Sequence, residues 1–137
     1  MSTMKRPLPI EDHLSKPFWE GCREHKLLVK ACNACGKAHF PPGPLCTHCR
    51  SADLKWITAT GRATVYSWIV VRHPIPAEIY APEVPYVVAL VDLAEGTRMP
   101  TNIVGCAPED VVAGMQVEIV FRDLTEQISI PQFRPVA

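Results

Sequence analysis

Four cysteines within 18 residues constrain this chain more than anything else in it: Cys32-Asn33-Ala34-Cys35 and, after ten intervening residues, Cys46-Thr47-His48-Cys49. Each Cys-x-x-Cys turn puts two sulfurs on one side of a tight bend. Two such knuckles offer four soft thiolates that can close tetrahedrally on a single ion, which is the donor set structural zinc prefers. Gly36, just after the second sulfur, can take a positive φ where a side chain would clash, whereas Arg50 holds that place in the second knuckle, so the second turn is expected to be the less regular. A redox dithiol needs a βαβ setting and does not come twice in so short a span. Two disulfides would need an oxidising compartment, and no export signal is evident. Four protein ligands leave no open position for water or substrate, so Cys32, Cys35, Cys46 and Cys49 are expected to hold one structural zinc.

The ribbon around them is expected to run from a strand at Leu27 to Ala31, through the Pro-rich turn His39-Phe40-Pro41-Pro42-Gly43-Pro44, to a returning strand at Leu54 to Ile57. Trp56 then packs near the metal or at the junction with the downstream strands. Upstream, Ser15 reads as a helix N-cap with Pro17 in the first turn. Leu14, Phe18, Trp19 and Cys22 recur at helical spacing and give a short amphipathic helix with an aromatic face. That face covers either the chain's own core or a partner subunit. Residues 1 to 12, with Pro7, Pro9 and mixed charge, read as an extended arm.

From Gly61 the pattern changes to strands: Arg62 to Val71, Tyr86 to Leu93, Arg98 to Val104, Gln116 to Phe121 and Ile128 to Phe133, with a short irregular or helical stretch at Pro108 to Val112. Five antiparallel strands in this arrangement match an OB-fold barrel; an open β-meander or small sandwich is the alternative. The fold class is therefore mainly β, with a short N-terminal helix, a zinc ribbon and a five-stranded barrel, divided at 1–26, 27–58 and 59–137. With 14 Pro against 7 Gly, the chain favours extended strands and stiff connections. The connection His73 to Val84 holds three prolines with Ile79 and Tyr80 and has no structure of its own in this reading, a combination that suits a functional loop.

The longest apolar run, Val84 to Val91, is eight residues, far below the roughly 20 that span a bilayer. No apolar segment follows Lys5 and Arg6, so the reading is a soluble cytoplasmic protein in which Cys22 and Cys106 stay reduced. Residues 1–59 carry nine Lys or Arg and five acids, a net of +4, whereas residues 60–137 carry five Arg, no Lys and nine acids, a net of −4. A barrel that tracks phosphates is expected to be basic, and this one is not, which argues against a single-stranded nucleic-acid module. None of His13, His25, His39, His48 and His73 sits in a nucleophile–base pattern. Cys106 has no nearby base or helix start to activate it and reads as a small buried residue at a strand end.

Several separate blocks carry a resemblance: Ser15-Lys16-Pro17-Phe18-Trp19-Glu20-Gly21, the cysteine tetrad with Phe40-Pro41-Pro42, Gly61-Arg62-Ala63-Thr64-Val65-Tyr66-Ser67, Pro85-Tyr86-Val87-Val88-Ala89-Leu90-Val91, Thr101-Asn102-Ile103-Val104-Gly105-Cys106, Gly114-Met115 and Pro131-Gln132-Phe133-Arg134-Pro135. In this order, over about residues 14 to 135, they resemble the acyl-CoA-associated zinc-ribbon/OB-fold proteins. The resemblance implies a rubredoxin-like ribbon and a C-terminal OB-fold. It also implies a noncatalytic small subunit that partners a thiolase-superfamily or lipid-transfer-type enzyme, including sterol side-chain aldolases, or alternatively an enoyl-CoA hydratase. In such assemblies the partner carries the chemistry on a coenzyme A thioester. Whether this chain is itself an enzyme stays open, with a noncatalytic subunit of a hetero-oligomer the expectation. Lys30, Lys37 and Arg50 near the ribbon are candidate counterparts for coenzyme A phosphates, with a solvated charged surface as the other reading. Phe18, Trp19, Ile79 and Tyr80 are the candidate partner contacts.

Overall fold

Asp12 supports the start of the first helix. In this computed structural model, which describes residues 6–137, its carboxylate Oδ1 accepts the N–H groups of Leu14 at 3.0 Å and Ser15 at 2.8 Å, and Ser15 Oγ accepts the Asp12 N–H at 3.1 Å. Ser15 occupies the N-cap position as expected, but its backbone is helical and its side chain makes no capping bond; the carboxylate that meets free N–H groups is that of Asp12, one turn upstream. Helix α1 spans Lys16–Arg23 and buries Phe18, Gly21 and Cys22. The first part of the extended arm, residues 1–5, falls outside the described residues; residues 6–12 carry no regular structure.

Strand β1 (Leu28–Cys32) lies between β2 (Ala38–His39) and β3 (Leu54–Thr58) in a three-stranded antiparallel sheet. Its alternation sends Val29 and Ala31 inward. The sheet ends at Cys32, which β1 delivers to the first knuckle.

The remaining strands are β4 (Arg62–Val71), β5 (Tyr86–Leu93), β6 (Arg98–Ile103), β7 (Gln116–Asp123) and β8 (Ser129–Pro135), with a 3₁₀ turn at Pro108–Asp110. They close into a barrel in the order β4-β5-β6-β8-β7. Every pairing is antiparallel except β6 with β8, which meet in parallel at Ile103 and Phe133. That closure, sealed by the Val104 N–H donating to the Phe133 carbonyl at 2.8 Å, settles the choice between barrel and open meander in favour of the barrel. It also removes most free edges.

The barrel interior is Val65, Ala89, Val91, Met99, Val117 and Phe133, all 2 % exposed or less. This core is continuous with Phe18, Cys22, Leu27 and Val29, so helix, ribbon and barrel share one apolar interior. Gly61, at the entry to β4, has φ +84 and sits so close to β7 that a Cβ would lie 2.4 Å from Ile119 Cγ2. The connection His73 to Val84 departs from expectation in one respect: Ala77–Tyr80 form a single helical turn, α2, with Ile79 and Tyr80 N–H groups directed at the Pro76 carbonyl.

Candidate metal centre and partner-facing surfaces

The two knuckles are built alike. In each, the residue after the second cysteine donates its N–H to the carbonyl of the first, Gly36 to Cys32 and Arg50 to Cys46, both at 2.9 Å. Both take the left-handed conformation, Gly36 at φ 77 and Arg50 at φ 66. The second turn is the less ideal of the two, as its sequence led one to expect, in backbone conformation though not in hydrogen bonding. The hydrogen bond is kept, and Arg50 bears a backbone strain of about 1–2 kcal/mol that glycine avoids.

All four sulfurs lie within 4.8 Å of one another, with Cys32 Sγ and Cys49 Sγ 3.5 Å apart and Cys35 Sγ and Cys46 Sγ 3.6 Å apart. A tetrahedral zinc with Zn–S of about 2.3 Å places its sulfurs about 3.8 Å from each other, so the tetrad fits one ion. Backbone N–H groups already point at the sulfurs: Ala34 and Cys35 at Cys32 Sγ (3.3 and 3.4 Å), His48 and Cys49 at Cys46 Sγ (3.3 and 3.5 Å). Those of Cys49 and His48 hold the Cys46 thiol down to about 6, and that of Cys35 lowers Cys32. Cys32 and Cys46 are thereby biased toward the thiolate that binds metal, whereas at Cys49 a backbone hydrogen bond with Ser51 lowers the thiol but the neighbouring sulfur of Cys32 and burial outweigh it and raise it to about 11. Cys32 and Cys46 are buried and Cys35 and Cys49 exposed, so the site lies at the surface with one side packed.

Beside it, sequence reasoning overlooked His39. Its ring is 2 % exposed with neither nitrogen hydrogen-bonded, and burial, followed by the charges of Lys30 and His48, pushes its pKa down. Both residues of the short strand β2, Ala38 and His39, are buried, so no alternation in the sequence marks the ring as inward-facing.

The three cations proposed for phosphate recognition have different surroundings. Lys30 donates to the Gly43 carbonyl at 2.9 Å and lies 5.3 Å over the Trp56 ring, bracing the Pro-rich turn. Lys37 and Arg50 each follow a knuckle and are exposed. Of the candidate partner contacts, Phe18 is corrected: at 4 % exposure it is covered by this chain, edge-on to Trp19 and tilted against Phe40. Trp19 is half-buried and lines a cleft of ≈ 370 Å³ with Pro9, Arg23 and Ile128. Ile79 and Tyr80 are half-buried, Tyr80 packing on Tyr86 at 6.1 Å. A second cleft, of ≈ 210 Å³, lies between that loop and the barrel and holds Arg6, Arg122 and Glu83 together with Cys106. Burial and then Asp110 raise the Cys106 thiol, the opposite of what a nucleophile needs.

Elsewhere on the barrel, arginines are matched to carboxylates: Arg72 to Glu109, Arg98 to Asp92, Arg122 to Glu83 and Arg134 to Glu118. Such pairing leaves little free positive charge for phosphates. Among the described residues, no helix is long and apolar enough to cross a membrane.

Two family models match in tandem: the ChsH2 rubredoxin-like zinc ribbon domain over residues 19–55 and the ChsH2 C-terminal OB-fold domain over residues 56–122. A DUF35 domain-containing scaffold protein of Methanocaldococcus jannaschii is 37% identical over 119 residues, covering 85% of this chain and 83% of that protein. A probable enoyl-CoA hydratase alpha subunit of Thermomonospora curvata is 41% identical over 130 residues, and a 3-oxo-4,17-pregnadiene-20-carboxyl-CoA hydratase alpha subunit of Mycobacterium tuberculosis is 33% identical over 123. This chain spans only 40% and 38% of those two proteins. Among solved structures, the Ltp2-ChsH2(DUF35) aldolase matches with a TM-score of 0.83 and 40% identity, covering 94% of this chain and 99% of that one. A DUF35 protein from Sulfolobus solfataricus, 17% identical with a TM-score of 0.64, shares the fold. With a ribbon and a barrel that both match, and relatives that align along most of its length, this chain belongs to the DUF35 family of ChsH2-type zinc-ribbon/OB-fold proteins.

Proposed function

We propose that this chain is a noncatalytic, zinc-stabilised scaffold subunit of an acyl-CoA-processing hetero-oligomer, and that its partner is a thiolase-superfamily or lipid-transfer-type enzyme that cleaves a carbon–carbon bond of an acyl-CoA. The observation that carries this reading is the full-length likeness, at 40% identity, to the ChsH2 chain of an aldolase whose name pairs it with Ltp2. The site chemistry supports it. The tetrad gives its metal four protein ligands, so zinc when bound supplies rigidity rather than an open coordination position. The raised Cys106 thiol and the internally paired arginines offer no arranged nucleophile and base.

In this reading Trp19, Ile79 and Tyr80 meet the partner. Lys37 and Arg50 face the coenzyme A phosphates, with Lys30 shaping the adjoining turn. Free thiolates persist in a reducing compartment, and we place the complex in the cytoplasm.

The test is to express this chain, a thiolase-superfamily enzyme of the same organism, and both together, and to measure thioester-dependent carbon–carbon cleavage in each. Activity only in the coexpressed pair is expected. Robust turnover by this chain alone overturns the subunit assignment. Equal activity of the enzyme with and without it removes the scaffold role. A second reading rests on the hydratase alpha subunits, in which a region like this chain forms about two-fifths of the protein. Hydration of an enoyl-CoA, without bond cleavage, by the coexpressed pair would favour it.

A further inference from the structure

Strand β4 is ten residues long, yet only its first part is paired on both edges. Arg62, Ala63 and Thr64 pair with β7. Val65 then donates its N–H to the Met115 carbonyl at 3.0 Å and accepts the Gly114 N–H at 2.9 Å. An irregularity between Val65 and Ser67 marks where β4 leaves β7 behind. From there to Val71 it has β5 on one side; among the described residues, no strand and no backbone hydrogen bond reaches the other.

Antiparallel alternation decides which groups this edge presents. Val65 turns its N–H and C=O away from β5, so its pairing with Val91 is of the non-hydrogen-bonded kind. Continuing the register through Ser67↔Leu90, Trp68↔Ala89, Ile69↔Val88 and Val70↔Val87, the backbone groups of Trp68 and Val70 also face away from β5. Proteins ordinarily guard such an edge with charge or proline. Residues 66–71, Tyr-Ser-Trp-Ile-Val-Val, contain neither. Ile69 is 63% exposed, Tyr66 53%, and Leu90 on the neighbouring strand extends the apolar surface.

We infer that a second copy of this chain covers the edge, two β4 strands pairing antiparallel about a two-fold axis through Ile69. The sequence is self-complementary in this register. Trp68 of each copy stands opposite Val70 of the other, so outward N–H and C=O groups meet outward C=O and N–H groups, whereas a shift by one residue sets them against groups already used by β5. Ile69 meets its own symmetry mate with no like charges across the axis. Three residues either side, Arg72 with its Glu109 partner comes level with Tyr66, whose ring Arg98 of the same chain already covers at 3.4 Å, so the pairing rests on residues 67–71. The edge supplies its own complement, and no foreign strand is required. A strand pair with a few apolar side chains is smaller than an obligate interface, so the association is a concentration-dependent equilibrium. It concerns like pairing with like and does not rest on the proposed function.

Sedimentation equilibrium of the full chain tests it. The expected result is a monomer–dimer equilibrium, with the amides of Trp68 and Val70 exchanging more slowly as concentration rises. Ile69→Lys and Ile69→Glu, at an exposed position, are each expected to be monomeric with an unchanged thermal transition, and mixing the two should restore dimers. A wild-type chain monomeric up to its solubility limit overturns the inference. So do variants that dimerise as well as wild type, or an edge whose protection appears only when the partner enzyme is added.

Discussion

His25 lays its imidazole flat on the ring of Phe121, the centroids 5.2 Å apart and the planes within 6°. One residue ends α1 and the other sits in β7. His25 occupies the left-handed position of a Schellman turn, at φ 58, with its N–H on the Cys22 carbonyl (2.9 Å) and the Lys26 N–H on that of Gly21 (2.8 Å). Glycine is the usual occupant. A histidine there puts its ring on Phe121 and its Nε2 2.8 Å from Asp123 Oδ1, which pins the helix end to the barrel.

Removing that ring should therefore matter beyond the turn. An aromatic pair contributes about 0.5–1.5 kcal/mol, while left-handed backbone costs a non-glycine residue about 1–2 kcal/mol. His25→Ala loses the stack and keeps the strain, so it should lower stability by about 1 kcal/mol. His25→Gly loses the same contacts but sheds the strain and should be the milder change. Urea unfolding of both variants checks this, and an alanine variant more stable than the glycine one would contradict it.

How much of this was legible beforehand differs by element. The tetrad and the five barrel strands follow from spacing and alternation, because both are local patterns that packing reinforces. Ser15 stands at the N-cap as its sequence suggests, but the role of the Asp12 carboxylate escaped, because only the fold decides which oxygen meets free N–H groups. The fate of Phe18 was undecidable for a similar reason: an aromatic face looks the same whether its own core or a partner covers it. Gly21 lies inside α1, where glycine is ordinarily a weak helix former. The structure gives the reason, since a Cβ there would lie 2.9 Å from both the Lys26 carbonyl oxygen and Leu28 Cγ. The buried ring of His39 and the open edge of β4 depend on contacts distant in sequence and had no local signature.

Zinc should hold the ribbon. Freshly purified, reduced protein is expected to carry one zinc per chain, and Cys46→Ser, which alters a sulfur only 2% exposed, should lose it and lower the melting temperature by about 10 °C or more. Because helix, ribbon and barrel share a core, amide exchange should quicken first in β1 to β3 and next where Leu27 and Val29 meet the barrel. Unchanged melting without metal would show that the tetrad is dispensable for stability.

His39 sets a second, pH-dependent test. Its folded pKa lies below the ordinary value of 6.5, first through burial and then through Lys30 and His48. Well above about pH 6.5 neither folded nor unfolded chain protonates this ring, and it contributes nothing to the pH dependence; the term sets in as pH approaches that value. As pH falls below that value the unfolded chain takes up a proton the folded one resists, so stability declines, by at most about 1.4 kcal/mol per pH unit for one group. His39→Leu removes this term alone, while thiolate protonation acts on both proteins. Between about pH 7.5 and 5.5 the stability of the leucine variant should therefore rise relative to wild type in urea titrations, and the opposite drift would show that the ring is protonated in the fold.

Glu83 ties the Pro-rich loop down. Its Oε1 accepts Arg6 Nη1 at 3.1 Å and Arg122 Nη2 at 2.7 Å, so one carboxylate joins the N-terminal arm, the loop and β7. The loop's other anchors are local, such as Glu83 N–H and Val84 N–H on the Tyr80 carbonyl, together with Tyr80 against Tyr86. All three side chains of the cluster are partly exposed, so its contribution to global stability is expected to be about 1 kcal/mol or less. Its local effect should be larger. Glu83→Gln leaves two guanidinium groups facing an amide, and repulsion between them should push the arm and the loop apart. Hydrogen exchange from His73 to Val84 should quicken while the melting temperature moves little, as expected for a segment that opens locally. If Ile79 and Tyr80 meet the partner as proposed, adding it should restore protection there. Unaltered loop exchange in the glutamine variant would mean that Tyr80, Tyr86 and the α2 turn alone fix the loop.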